Sequence, residues 1–285
     1  MTAEPADGHT TGGATTAHAA PAATRVDTHL RQAAARLGGT PEAAREARLL
    51  LATVIGRSEA WLYAWPEAEL DSVQAQRFHA LIAGRAAGQP IAYLTGQRAF
   101  WSLDLCVTPD TLIPRPETEL LVEWAIALAN PEPTCRILEL GTGSGAIALA
   151  LAATAPGWQL TAVDSSPAAL AVARANARRL GLHNLQWCAS DWFAALNPRA
   201  RFPLILANPP YLASDDPHLQ QGDLRFEPRA ALASGPAGLD ALEHIIRTAP
   251  RHLTPGGHLL LEHGWTQGPA VRDRLQQAGF TAITT

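Results

Sequence analysis

From Cys135 onward, short apolar runs alternate with stretches of helical spacing, and this alternation is what most narrows the possible fold. Arg136-Ile137-Leu138-Glu139-Leu140 reads as a strand that runs into a glycine loop. Ala146 to Ala155 is a helix of small residues, and Leu160-Thr161-Ala162-Val163-Asp164 is a second strand. Pro167 to Leu180, closed by Gly181, is a second helix. Leu185 to Cys188 gives a third strand, Pro203 to Ala207 a fourth, and His258 to Glu262 a fifth, with a helix near Leu239 to Leu253 before it. Repeated short strands with intervening helices specify an α/β fold with a mostly parallel, doubly wound sheet. Ligands of such sheets bind beyond the carboxyl ends of the strands.

The segment before this pattern reads differently. Residues 1–25 hold Ala, Thr, Gly and Pro, without the cationic start or apolar core of a signal peptide, and are expected to be a flexible tail. Residues 26–89 read as a small helical domain. Val26, Leu30, Ala34 and Leu37 recur at helical spacing before Gly38-Gly39. Thr40 and Pro41 open a second helix that Gly56 ends, and Leu70, Val73, Phe78, Leu81 and Ile82 mark a third. Residues 90–115, with Ile91, Tyr93, Leu94, Phe100, Leu103, Leu105 and Val107 among short breaks, read as a strand-rich hairpin connector. Residues 116–285 are expected to form the main domain, which the motifs below mark as catalytic, beginning with a helix over Glu117 to Ala129 whose apolar stripe is Leu120, Leu121, Trp124, Ala125 and Leu128.

Composition removes several function classes. The 285 residues contain no Lys, which excludes a lysine Schiff base and a P-loop lysine. The net charge of −4, and eight Arg against seven acids over residues 26–98, disfavour a direct nucleic-acid partner. Cys106, Cys135 and Cys188 are scattered and odd in number, so reduced, packed thiols in a cytoplasmic protein are expected, with no disulfide framework and no metal site. No apolar run reaches the ~18 residues of a membrane span.

Gly141-Thr142-Gly143-Ser144-Gly145 joins the first strand of the sheet to its helix, and its glycines allow a sharp turn and close approach of a ligand. Through Ala146 the stretch also fits a dinucleotide loop, so it does not choose a cofactor. Asp164, at the end of the second strand, can accept both hydroxyls of a ribose or simply cap a helix. Asp191-Trp192 follows the third strand, where an acid beside an aromatic can hold and stack an adenine, although Trp192 alone reads equally as core. Asn208-Pro209-Pro210-Tyr211 follows the fourth strand. Its prolines stiffen the loop and remove two donors, leaving the Asn208 side-chain oxygen and the Pro209 carbonyl as acceptors and Tyr211 as an aromatic wall. Two acceptors held together suit a planar N–H₂ group.

These motifs, from Glu139 to Gly145 with Asp164, Asp191-Trp192 and Asn208 to Tyr211, resemble those of class I S-adenosylmethionine-dependent methyltransferases that modify planar nitrogens. Leu112 to Glu119 and Asp216 to Pro228 narrow the resemblance to the HemK/PrmC family of peptide chain release factor glutamine N5-methyltransferases, over a span from about residue 27 to the end. The resemblance implies a Rossmann-like class I fold and S-adenosyl-L-methionine as cofactor. It implies that Gly141, Thr142, Gly143, Ser144, Gly145, Asp164, Asp191, Trp192 and Asn208 hold that cofactor. It further implies that Asn208, Pro209, Pro210 and Tyr211 hold the glutamine of a Gly-Gly-Gln loop, with Asn208, Pro209 and Tyr211 catalytic. The implied partner is a class 1 release factor docked by the helical domain, and a monomer is expected. Members of this family ordinarily continue past a position like Thr285 into a final antiparallel strand with an Asp-Arg pair, so the fifth strand is expected to present an open edge and a sixth to lack a neighbour.

Other residues read more plainly. Glu262-His263 reads as a strand-end cap, His218 as a solvated loop residue, and Trp61 and Trp65 as core or partner-facing. Arg225 and Glu227 are expected to pair, and Arg115 reads either as a guide for the cofactor carboxylate or as half of a structural ion pair. A glutamine methyltransferase of a ribosomal protein, an adenine N6-methyltransferase and a non-catalytic cofactor-binding scaffold share parts of this pattern. The missing Lys and the acidic balance weigh against the adenine enzyme, and the intact Asn208 to Tyr211 against the scaffold.

Overall fold

The computed structural model describes residues 1–2, 25–129 and 134–285. The tail expected over residues 1–25 therefore lies outside the described residues, its ends apart. The chain divides into two compact units, residues 1–82 and 83–285.

The first unit is helical. It comprises α1 (Val26–Arg36), α2 (Pro41–Ile55), α3 (Glu59–Ala64) and most of α4 (Ser72–Ala86). Local chemistry sets the boundaries. Thr40 Oγ1 accepts from the Ala43 amide at 3.1 Å, Pro41 occupies the first turn, and Gly56 closes α2 at φ 64°. Asp71 and Gln74 cap α4 reciprocally, each side chain accepting the other's amide. Leu50, Leu51 and Phe78 are fully buried, whereas Trp65 is exposed and Trp61 half-buried. Six-residue α3 was not legible, since fewer than two turns show no period.

The second unit opens with α5 (Ile91–Thr95) and a hairpin of β1 (Gln97–Phe100) and β2 (Leu103–Cys106). The hairpin agrees with the sequence, but Ile91, Tyr93 and Leu94 belong to a helix turn that Gly96 ends at φ 72°. A short apolar run does not distinguish strand from helix. Helix α6 (Glu119–Ala129) follows a 3-10 turn at Pro116–Thr118. Its buried face is Leu121, Val122, Ala125 and Ala129, while Leu120, Trp124 and Leu128 are exposed. The expected stripe merges two apolar faces, only one of which packs inward.

The rest alternates as read: β3 (Arg136–Leu140), α7 (Ala146–Thr154), β4 (Gln159–Asp164), α8 (Pro167–Leu180), β5 (Leu185–Ala189), β6 (Phe202–Ala207), α9 (Asp240–Thr248), β7 (Leu253–Leu261) and α10 (Gly268–Gln277). The sheet is parallel in the order β5-β4-β3-β6-β7. Neighbouring strand residues feed opposite cores. Ile137, Leu160, Leu204 and Leu206 pack under α6 and α7, and Leu138, Leu140, Val163 and Ile205 pack with Phe193 and Ile245 on the other side. No sixth strand forms among the described residues, so β7 has one open edge.

Asn176 gives the hairpin a buried polar tie to the sheet layer, beside the packing of Phe100 and Leu105. Asn176 on α8 is fully buried; its Oδ1 accepts from the Cys106 amide at 2.8 Å, and its Nδ2 donates to the carbonyls of Cys106 at 2.9 Å and Ser144 at 3.0 Å. One side chain thus joins the β2 end, the helix and the glycine loop. Asn176→Ala takes the partner from one buried and two part-buried backbone groups, and the urea-unfolding free energy should fall by about 2–4 kcal/mol.

Candidate active site

The parallel sheet brings the motif residues together at its carboxyl edge. Gly141 and Thr142 donate their amides to the Val163 carbonyl at 2.8 and 2.9 Å, bending the chain over the end of β4. Gly141, Gly143 and Gly145 have φ of 74°, 55° and 86°, a region that a side chain disfavours. A Cβ on Gly145 would also stand 2.9 Å from Leu149, so this glycine serves the close packing of loop on helix. Beyond Gly143 the space is open.

Asp164 organises the loop opposite. Its Oδ2 accepts from the Gly143 amide at 2.8 Å and its Oδ1 from the Ser166 amide at 2.8 Å. Both oxygens keep a lone pair for a further donor. A cavity of about 230 Å³ lies beside it, lined by Gly141, Gly143, Asp164, Asp191, Trp192 and Asn208 among others. The Trp192 ring sits over Gly141, where a Cβ would be 3.6 Å from it. Trp192 itself has φ 49°, a left-handed conformation that costs a non-glycine residue roughly 1 kcal/mol or more. A smaller cavity of about 50 Å³ adjoins Thr142, Ser144, Asn208 and Arg115. These residues suit a nucleoside with an attached charged chain: paired acceptors for hydroxyls, an aromatic wall, and open backbone at a glycine. Gly145 and Pro209 line neither cavity, and Tyr211 lines a separate apolar groove beside the open edge of β7.

At the end of β6, Asn208 donates from Nδ2 to Thr118 Oγ1 at 3.1 Å. Thr118 donates to Glu262 Oε2 at 2.7 Å, and the Tyr211 hydroxyl donates to Glu262 Oε1 at 3.2 Å. Burial raises the Glu262 pKa against these donors, and burial followed by the Glu262 charge pushes the Tyr211 phenol up to about 12. Tyr211 is therefore a neutral wall, not an acid. The Tyr211 carbonyl accepts from Gln267 at 2.9 Å and packs so tightly on Gly238 that a Cβ there would be 2.2 Å away.

Two sequence expectations change. Glu262 is more than a strand cap, and Thr118 joins it although neither stood out as a site residue; an acid at the carboxyl end of a strand in a doubly wound sheet was the available signal. Glu227 pairs not with Arg225 but with Arg115, and also accepts the Ile113 amide at 3.0 Å from a fully buried carboxylate. Arg225 instead binds the carbonyls of Gly222 at 3.1 Å and Ala87 at 3.3 Å. Arg115 is thus half of an ion pair at the rim of the smaller cavity.

Under the loop, Glu139 is almost completely buried. It accepts from Thr142 Oγ1 at 2.6 Å and from the Ala148 amide at 3.2 Å. Burial pushes its pKa from 4.5 up to about 7, and these two bonds only partly oppose that. Between those values the folded protein holds a proton that the unfolded chain has released, so this contribution is full at low pH and is lost as pH rises through about 7. Glu139→Gln lacks that term. Its melting temperature relative to wild type should rise between about pH 5 and about pH 8 by the equivalent of roughly 3 kcal/mol, followed by calorimetry without cofactor.

Two family models match the chain: a PrmC N-terminal domain over residues 28–96 and a methyltransferase domain over residues 131–280. The hMettl16 catalytic domain, solved in complex with a MAT2A 3'UTR hairpin, is similar at a TM-score of 0.50 and 16% identity, over 75% of this chain and 76% of that one, a likeness of fold alone. The release factor glutamine methyltransferase of Salmonella typhimurium strain LT2 is 49% identical over 90% of this chain and 92% of its own. That of Escherichia coli strain K12 is 48% identical over the same shares. With about half its residues identical to theirs over nine tenths of its length, and with a methyltransferase domain on a parallel α/β sheet, the chain belongs to the release factor glutamine methyltransferase family.

Proposed function

We propose that the protein methylates the side-chain amide nitrogen, N5, of the glutamine in the Gly-Gly-Gln loop of class 1 peptide chain release factors, with S-adenosyl-L-methionine as donor. The observation that carries the reading is Asn208, whose Nδ2 is tied back to Thr118 while its Oδ1 accepts no hydrogen bond among the described residues. A free oxygen on a stiff loop is an acceptor for one hydrogen of a planar amide, and the Pro209 carbonyl is the second.

In this reading Asp164 takes the ribose hydroxyls, Asp191 and Trp192 take the adenine, and the loop from Gly141 to Gly145 lies along the nucleoside, with Gly145 setting the turn. Bound there, the sulfonium supplies a methyl group electrophilic enough for in-line displacement. The glutamine nitrogen forms the new N–C bond as the C–S bond breaks, and a proton leaves the nitrogen to water. The obstacle is a nitrogen lone pair delocalised into its carbonyl. Acceptors on both N–H hydrogens raise density on nitrogen and stabilise the positive charge it acquires. Placement of the two reactants can contribute roughly 7–11 kcal/mol more. Tyr211 supports the amide plane as a neutral ring. The helical domain docks the release factor in this reading, and the protein works in the cytoplasm as a monomer without direct nucleic-acid contact.

Labelled cofactor offered in parallel with a class 1 release factor, a ribosomal protein and DNA tests the assignment. Label should enter the release factor, adding one methylene to the Gly-Gly-Gln peptide; label in DNA or in the ribosomal protein instead would replace this reading. In the same assay Asn208→Ala should lower turnover by roughly 100-fold or more while cofactor affinity falls less. Asp164→Asn should show the reverse, with calorimetric cofactor affinity weakened about tenfold or more.

A further inference from the structure

We infer that Thr118 and Glu262 are positioning residues that fix which end of the Asn208 carboxamide faces the substrate. The inference rests on the reading of Asn208 as the amide acceptor and adds the cause of its orientation. An asparagine side chain is nearly symmetric in shape, so packing alone does not decide between its oxygen and its nitrogen. Hydrogen-bond polarity does.

The polarity starts at Glu262. An ionised carboxylate only accepts, and Glu262 receives the hydroxyls of Thr118, at 2.7 Å, and Tyr211, at 3.2 Å, and also a hydrogen bond from the Asn208 side chain. Thr118 has a single hydroxyl hydrogen and has given it to Glu262. Its oxygen can then only accept, and the group it meets is Asn208 Nδ2 at 3.1 Å. A flipped carboxamide would set Oδ1 against an oxygen with no hydrogen to offer. Thr118 is buried and Glu262 half-buried, so the mismatch would not be relieved cheaply by water. Glu262, directly and through Thr118, therefore holds Nδ2 inward and leaves Oδ1 for the substrate. Three separate parts of the fold take part: the 3-10 turn before α6, the end of β6 and the end of β7.

Two substitutions at one position separate this from simple packing. Valine copies the shape of Thr118 but has no hydroxyl; serine keeps the hydroxyl and loses a methyl. If Thr118 only fills space, Thr118→Val should be the milder change. If it sets polarity, Thr118→Ser should stay within about threefold of wild-type turnover and Thr118→Val should fall roughly 30- to 100-fold, with the KM for cofactor changed less than about threefold in both. Glu262→Gln, which weakens the acceptor for Thr118 and Asn208 alike, should lower turnover in the wild-type background and add less than its full effect to Thr118→Val, because part of its action runs through Thr118.

A readout without substrate completes the test. In ¹H–¹⁵N spectra of the full-length chain, with Asn208→Ala identifying the resonance, the Asn208 side-chain amide should exchange slowly with solvent in wild type and Thr118→Ser, and fast in Thr118→Val. Equal protection in all three, Thr118→Val as active as Thr118→Ser, or additive effects of Thr118→Val and Glu262→Gln would each overturn the inference. The expected exchange pattern in a protein that transfers no methyl group to a release factor would uphold the orientation and overturn the functional reading instead.

Discussion

Four strand ends in a single row are the constraint on which the rest of this molecule depends. Leu140 pairs with Val163 on one side and Ala207 on the other, and Ala207 pairs with Leu261. The residue after each partner is therefore level with its neighbours: Gly141, Asp164, Asn208 and Glu262. All four strands run the same way, so all four residues leave the sheet at one edge. A slip of one residue at β6 would move Asn208 by about 3.3 Å and turn every side chain of that strand to the wrong core. Buried Leu204, Ile205, Leu206 and Ala207 hold the register, since each already belongs to a defined face.

Around this row the protein withdraws three carboxylates from water, Glu139 and Glu227 fully and Glu262 in part, and each is held by different means. Glu139 meets one hydroxyl and one amide, too little to keep it charged in full, and its pKa rises to about 7. Glu227 has a guanidinium and an amide, so the charge of Arg115 compensates its own. Glu262 has only neutral donors, two of them hydroxyls. The first ties the glycine loop to α7, the second ties the segment before α6 to the loop after Tyr211, and the third sets hydrogen-bond direction around Asn208. Glu227 and Glu262 join segments far apart in sequence and Glu139 joins neighbours along the chain, and each fixes a direction that an apolar contact would not.

What the sequence disclosed follows the range of the interactions involved. The glycine loop and Asp164 were legible because turn, strand end and helix start lie within a few residues and obey backbone chemistry. Thr118 and Glu262 were not, because each is ordinary in its own neighbourhood and acquires meaning only when the sheet brings positions 118, 208 and 262 together. Glu227 was paired with the wrong arginine for the same reason: Arg225 is near in sequence, but Arg115 is near in space. The stripe of α6 failed differently. Leu120, Trp124 and Leu128 are as apolar as the buried set and share the helical period, and only the placement of α7 and the strands beneath says which face turns inward.

The arrangement also explains why position 208 suits an asparagine and not the stronger acceptor, aspartate. A carboxylate there would have nothing to donate to Thr118, whose hydrogen is already committed to Glu262. It would also stand against the half-buried Glu262, and two such charges side by side raise each other's pKa until one takes up a proton. That proton would sit where the acceptor is needed. Asparagine divides the two tasks between its two ends: nitrogen donates inward and keeps the loop in place, and oxygen faces outward carrying no charge to be neutralised. The neutral acceptor is weaker, but it holds its direction at any pH at which Glu262 remains ionised, and direction is what a substrate nitrogen with two fixed hydrogens requires.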